Sequence, residues 1–438
     1  MVNRLLSLLL FCTYATVFFQ SMAYESIDTR THSEDAYIRT LRTRIGGNDM
    51  VAPIIPLDAP DDLLEISFDE LTDEYRQLRY EIIHCDSNWR PSKLITEQEY
   101  ITGASFNQAD IEDYSYSQAG LSSRYVHYSI SFPNQDLRPA ISGNYIMRIF
   151  PYDNPDKTLA VIRFMVSEQA TPISAKINTV TDIDYNESHQ QLEFNVNVEL
   201  AQPEIVDPFS RLKAVIYQNM RTDNSVAIRH PSRVEGRRLA IYDHLLPLIF
   251  AAGNEYRRFE TVATNYMPLR IEDAEYRYPY YHMWIETDYP RSSQTYSYDE
   301  TQKGRYRVRN ANANDSDTEA EYVVTHFRLE MPRLPDGYDV LIDGDLTYHC
   351  ADPAAIMTYD NELGAYTRAL LLKQGSYNYQ YLVSRLDQHN KQSPFDTSYV
   401  EGNYHPTGNE YLICIYYTAP GERYERLMQC AAVNLFQN

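Results

Sequence analysis

The sequence predicts an all-β protein built of tandem β-sandwich domains. Three observations carry that expectation. Apolar residues recur at every second position in many segments, the pattern of a strand with one buried and one wet face. Helical periodicity is scarce, confined to short candidate pieces at residues 61–71 and 241–246. Tyrosine is the compositional outlier, with 39 Tyr against 2 Trp and 15 Phe. Aromatic rings suit the pleated, half-buried surface of a strand.

In chain order, the first element is a leader. Arg4 supplies a positive charge, residues 5–19 are mostly apolar, and Ser21-Met22-Ala23 are small. That is the plan of a secretory signal, with cleavage expected after Ala23. Cys12, Thr13 and Thr16 interrupt the run, which falls short of the ~20 apolar residues a membrane anchor needs.

A first unit is expected over 24–168. Val126, Tyr128, Ile130 and Phe132 alternate with His127, Ser129 and Ser131. Leu78, Tyr80, Ile82 and His84 share one strand face, so His84 reads as a core or turn histidine. Asp86, Ser87 and Asn88 have side chains that fold back on the backbone to shape a turn, with Trp89 packed across the strand ends. Ala170-Thr171-Pro172 closes this unit.

A second unit is expected over 169–320. Leu192, Phe194, Val196, Val198 and Leu200 alternate with Glu193, Asn195, Asn197 and Glu199. The polar stretch 310–319 reads as a linker. A third unit follows over 321–438. Val323, Thr325, Phe327, Leu329 and Met331 share a face, as do Tyr377, Tyr379, Tyr381 and Val383 after the turn at Gln374-Gly375. Residues 411–417 are apolar on both faces and read as a central core strand. Each unit is large enough for a sandwich of about 100 residues, of immunoglobulin or fibronectin-like type.

The formal net charge of −22 disfavours nucleic acid and anionic membrane surfaces, which need a basic footprint. Once the leader is removed, Cys85, Cys350, Cys414 and Cys430 remain. They form no Cys-x-x-Cys pair, and their pairing is left open, disulfides being permitted outside the cytoplasm. Cys414 lies in a solid apolar run and reads as a buried thiol. His84, Asp86 and Ser87 are neighbours in sequence only, without a Gly-x-Ser-x-Gly elbow, so no hydrolase triad is expected. Asn314, Asp315, Asp317 and Glu319 lack the spacing and glycine of a calcium loop. No catalytic, cofactor or metal residue is expected. The basic cluster Arg229, Arg233, Arg237 and Arg238, with Arg257 and Arg258 as a comparable case further on, reads as a solvated loop with nearby counter-charges; the alternative is a surface that docks an acidic rim.

The order of several blocks resembles the plug protein family of the type IX secretion system of Bacteroidetes. The first runs His84-Cys85-Asp86-Ser87-Asn88-Trp89 and continues to Ser142-Gly143-Asn144-Tyr145. Ala252-Gly253-Asn254-Glu255 lies in the middle of the chain. Leu372-Lys373-Gln374-Gly375-Ser376-Tyr377-Asn378-Tyr379 and Glu401-Gly402-Asn403 follow. Of these, His84, Cys85, Asp86, Trp89, Gly143, Asn144, Tyr145, Gly253, Asn254, Glu255, Gly375, Tyr377 and Tyr379 are taken as structural. The resemblance implies a non-enzymatic periplasmic protein. Such a protein docks on the large outer-membrane translocon barrel subunit, of the SprA/Sov type, and closes it when no cargo is in transit. The last unit also looks like an early-set immunoglobulin-like domain of the starch-binding kind. A periplasmic carbohydrate-binding protein, with Tyr348 and Tyr359 as stacking platforms, is therefore the competing expectation.

Overall fold

A computed structural model describes residues 27–236, 238–385 and 395–435. The expected leader, 1–23, lies outside these residues.

The first sandwich follows from the alternation. One sheet has the order His32–Ser33, Ala160–Ser167, Gly143–Pro151, Leu78–Cys85, Ala109–Asp110, with Ile54–Pro56 running parallel to Ala160–Ser167. The other has the order Ile38–Ile45, Leu64–Glu70, Val126–Phe132, Asp113–Tyr116. Leu64, Ile66, Phe68, Tyr145, Met147 and Phe164 fill the space between them. The candidate helical piece at 61–71 is therefore a strand. Leu64, Ile66 and Phe68 are fully buried and alternate with Glu65, Ser67 and Asp69, a period of two rather than 3.6. The second candidate helix is likewise a strand, Leu239–Tyr242, followed by a 3-10 turn at Leu246–Leu248.

The expected division at 320 into two contiguous units is not how the strands pair. The second sandwich joins a sheet of Ile173–Asn178, His189–Asn197, Leu239–Tyr242 and Arg233–Glu235 to a sheet of Val226–Ile228, Leu212–Gln218, Glu410–Tyr417 and Arg426–Asn434. Its last two strands come from the end of the chain, with Leu212 opposite Tyr417 and Gln218 opposite Tyr411. The third sandwich is inserted between the halves of the second. It pairs Arg257–Glu260, Gly375–Arg385 and Tyr306–Val308 in one sheet, with Tyr338–Asp343 joined to Gly375–Arg385. The other sheet has the order Ile271–Arg277, Tyr280–Ile285, Tyr322–Glu330, Ala365–Lys373, Thr358–Asp360.

This arrangement explains the strand that is apolar on both sides. Tyr411, Ile413, Ile415 and Tyr417 enter the core of the second sandwich. Leu412, Cys414 and Tyr416 point the other way and pack on Ile83, Cys85, Trp89, Ile146, Val161 and Met165 of the first. The outer faces of two sheets thus make a further apolar layer, welding the first sandwich to the second.

The first and third sandwiches are joined by polar groups. Lys373 donates to Asp69 at 2.6 Å, and both side chains are fully buried. Tyr322 also donates to Asp69, at 2.6 Å. The stretch expected as a solvated linker is part of this joint: Asp317 pairs with both Arg42 and Arg44 at 2.5 Å. Glu321 accepts from the Ser122 backbone at 2.9 Å. Three sandwiches therefore form one continuous body.

Candidate docking surface

The motif blocks lie at the joints. Gly143–Pro151 pairs with Leu78–Cys85 so that Tyr145 faces His84 and Asn144 faces Cys85. His84 is buried; its Nδ1 lies 2.7 Å from Ser92 Oγ and its Nε2 3.2 Å from the Ser142 carbonyl. Burial pushes its pKa down to about 4, so the ring is neutral at physiological pH. Asp86 accepts the backbone N–H groups of Asn88 and Arg90 at 2.8 and 3.0 Å, shaping the turn. Ser87 Oγ meets the Lys213 ammonium instead. The three side chains point to three different partners and form no relay. Trp89 donates its indole N–H to Tyr217 at 3.0 Å, and Asn144 accepts from Tyr416 at 2.7 Å. Both bonds cross from the first sandwich to the second.

Gly253, Asn254 and Glu255 sit where the chain leaves the second sandwich. Asn254 donates to the Glu401 carbonyl at 2.9 Å, Gly253 N–H to Asn403 at 3.0 Å, and Glu255 accepts the Gly408 N–H at 2.8 Å. The Gly-Asn-Glu and Glu-Gly-Asn blocks therefore clasp the exit and return of the inserted sandwich. Tyr379 donates to Asp288 at 2.6 Å within the third core, and Tyr377 stacks on Phe259.

The candidate docking arginines separate sharply. Arg257 is buried and cannot dock anything. It pairs with Asp288 at 2.7 Å and Glu401 at 3.0 Å. Burial opposes its charge, but these two carboxylates hold its pKa above the ordinary value. Adjacent residues of a strand face opposite ways, so Arg258 is exposed, paired with Asp299 at 3.1 Å. Arg233 is bound by Asp243 and Glu235, and Arg238 by Glu199 at 2.8 Å. Arg237 lies outside the described residues. Arg229 is exposed and, among the described residues, has no ion-pair partner.

Around Arg229 is a patch that sequence reasoning missed. His230 stacks on Phe209 with ring centroids 5.4 Å apart, and its Nδ1 lies 2.9 Å from the Phe209 carbonyl. Val206 and Phe209 are about half exposed. A groove beside them is lined by Asp207, Arg211, Lys213, Arg229, His230 and Glu425. Exposed aromatic and aliphatic side chains thus lie beside a groove that carries charges of both signs. The cue in the sequence is Phe209 in a Pro-Phe-Ser turn set between Asp207 and Arg211.

Sugar platforms are not formed where expected. Tyr348 is turned inward against the first core, its hydroxyl accepting the Leu41 N–H. Tyr359 packs edge-on against Tyr366. The third sandwich does contain a tryptophan, since Tyr280–Ile285 belongs to it. However, Trp284 already carries the His326 ring stacked at 4.6 Å and the Arg277 guanidinium at 5.0 Å.

These features define an all-β protein whose motif residues lie largely where one sandwich meets the next. Residues 38–168 match the first-domain family of the type 9 secretion system plug protein. A crystallised protein from Parabacteroides merdae ATCC 43184, described as hypothetical, is 36% identical. The similarity covers 93% of this chain and 100% of that one, with a TM-score of 0.88. No curated protein matches the chain. The chain belongs to the type IX secretion system plug family, which gives it a plug-like, structural role associated with the translocon.

Proposed function

We propose that this protein binds the periplasmic opening of the type IX outer-membrane translocon barrel and seals it when no cargo is passing. The family match carries the reading. The architecture supports it physically. A pore wide enough for folded cargo needs a bulky cover that does not deform, and three sandwiches tied by a shared apolar layer and buried ion pairs supply one. Release requires a reversible contact, which suits a small aromatic and basic patch more than a large apolar face. On this reading the chain is exported by its leader, cleaved after Ala23, and works in the periplasm against the inner face of the outer membrane. Its partner is the large barrel subunit, approached through Arg229 and Phe209.

Affinity purification of the tagged chain from detergent-solubilised outer membranes tests this. The barrel subunit should co-purify, and Arg229→Glu combined with Phe209→Ala should weaken its recovery several-fold. Recovery of the intact chain without the barrel would overturn the reading. Deletion should also admit bulky antibiotics that the outer membrane normally excludes.

A further inference from the structure

We propose that Cys414 and Cys430 form a disulfide that locks the last strand of the chain into the joint between the first and second sandwiches. The two residues lie directly opposite each other on adjacent antiparallel strands. Opposed residues of such a ladder have Cα atoms about 4.5–5.5 Å apart, inside the ~4.4–6.8 Å window that a disulfide accepts. The two Sγ atoms are 2.8 Å apart, well inside the contact distance of two non-bonded sulfur atoms. Cys85 and Cys350, the other described cysteines, have no thiol partner of this kind.

The position gives the bond a purpose. Arg426–Asn434 is the outer strand of its sheet, yet the first sandwich leans on it. The Glu168 N–H donates to the Leu427 carbonyl at 2.9 Å, and the Ala170 N–H to the Met428 carbonyl at 2.8 Å. The pairing register slips between Ile415 and Tyr416, just beyond the cysteine pair, so the ladder is interrupted where the joint begins. A covalent link one pair away prevents this strand from peeling off. It keeps Leu427 against Cys414 and Trp89 in the shared apolar layer.

Accessibility sets the order of the reaction. Cys414 is fully buried, while Cys430 is partly exposed. The oxidant is a disulfide, either of a thiol–disulfide oxidoreductase or of glutathione. The Cys430 thiolate attacks one sulfur of that disulfide, giving a mixed disulfide and releasing one thiol. The Cys414 thiolate then attacks Cys430 Sγ, closing the protein disulfide and releasing the second thiol. The two cysteine protons leave to solvent and end on the released thiols, so one external disulfide is reduced for each bond formed.

The test is peptide mapping of the mature chain, incubated with oxidised glutathione and then denatured in an alkylating reagent without reductant. Cys85 and Cys350 should be alkylated, and Cys414 and Cys430 should appear as one linked peptide that separates on reduction. Order is tested with single variants. Cys414→Ala should accumulate a glutathione adduct on Cys430, whereas Cys430→Ala should leave Cys414 unmodified until the protein is unfolded. Full alkylation of Cys414 and Cys430 in the oxidised wild-type sample would overturn the proposal, as would linkage of either to another cysteine.

Discussion

Single residues hold the joints, and two of them are charged groups removed from water. Lys373 is enclosed by Asp69, the Asp317 carbonyl at 2.6 Å and the Tyr125 ring at 4.2 Å. Burial would raise the Asp69 pKa, but the Lys373 charge and the His127 hydrogen bond bring it below the ordinary value. Lys373 itself is also lowered, because loss of hydration outweighs the attraction. The geometry, with every acceptor of Asp69 filled, favours a charged pair whose value lies in specificity more than in net stability. Lys373→Met alone should cost about 3–5 kcal/mol by stranding the carboxylate, read as a lower urea midpoint. Adding Asp69→Leu should restore much of the loss.

His349 makes a second case, in a turn where Tyr348, His349 and Cys350 all have left-handed φ angles of 51°, 51° and 62°. Each such residue costs about 1–2 kcal/mol, so the turn needs holding. The ring nitrogens of His349 reach Asp343 at 3.1 Å and Asp345 at 3.0 Å. Burial opposes its charge, but the Asp343 carboxylate raises its pKa from 6.5 to about 10. A group raised on folding contributes fully below its unfolded pKa and loses that contribution as pH rises through the folded one. Thermal stability should therefore decline between pH 6.5 and about 10. His349→Gln should be less stable at neutral pH and should lack that part of the decline.

At the level of the strand, alternation was readable and orientation was not. The period of two identifies His189–Asn197 and Tyr322–Glu330 directly, because each has one face in a core. It cannot say which of two neighbouring arginines turns inward. Arg257 does so because Asp288 and Glu401, distant in sequence, meet it there. Among the motif glycines, Gly143 and Gly375 mark close approaches, whereas Gly253 has only ordinary contact and a left-handed φ of +62°. Gly143 has φ +148°, and a Cβ there would stand 2.3 Å from His84 Nε2. Gly143→Ala must displace a buried ring that is fixed by two hydrogen bonds, and should cost at least ~2 kcal/mol. Gly421 is the control: its φ is +86° with open space around it, so Gly421→Ala should cost only the backbone strain of about 1–2 kcal/mol. Parallel denaturant titrations separate the two, and equal losses would mean that the His84 contact is not tight.

For the whole molecule, the hidden feature was the return of the chain end to the second sandwich. The stretch 310–319 falls inside the third sandwich, between Tyr306–Val308 and Tyr322–Glu330, and the break in pairing comes earlier, after Ile249–Ala251. No local composition signals it, because re-entry depends on which distant surface covers Glu410–Tyr417. The one trace was the apolar character of both faces of that strand, which one sandwich alone does not require. The consequence is mechanical. An inserted third sandwich, clasped at its base and pinned to the first by Lys373, cannot unfold without loosening both neighbours. The protein contains 2 Trp, and they report on different places: Trp89 on the joint of the first and second sandwiches, Trp284 on the third. Single-tryptophan variants Trp284→Phe and Trp89→Phe should each show fluorescence and far-ultraviolet circular dichroism transitions with the same midpoint in guanidinium, the signature of one cooperative unit. An earlier fluorescence midpoint for Trp284 than for the bulk strand signal would mean that the third sandwich opens alone. On the proposed sealing role, a cover whose third sandwich opened alone would give way under load across the pore.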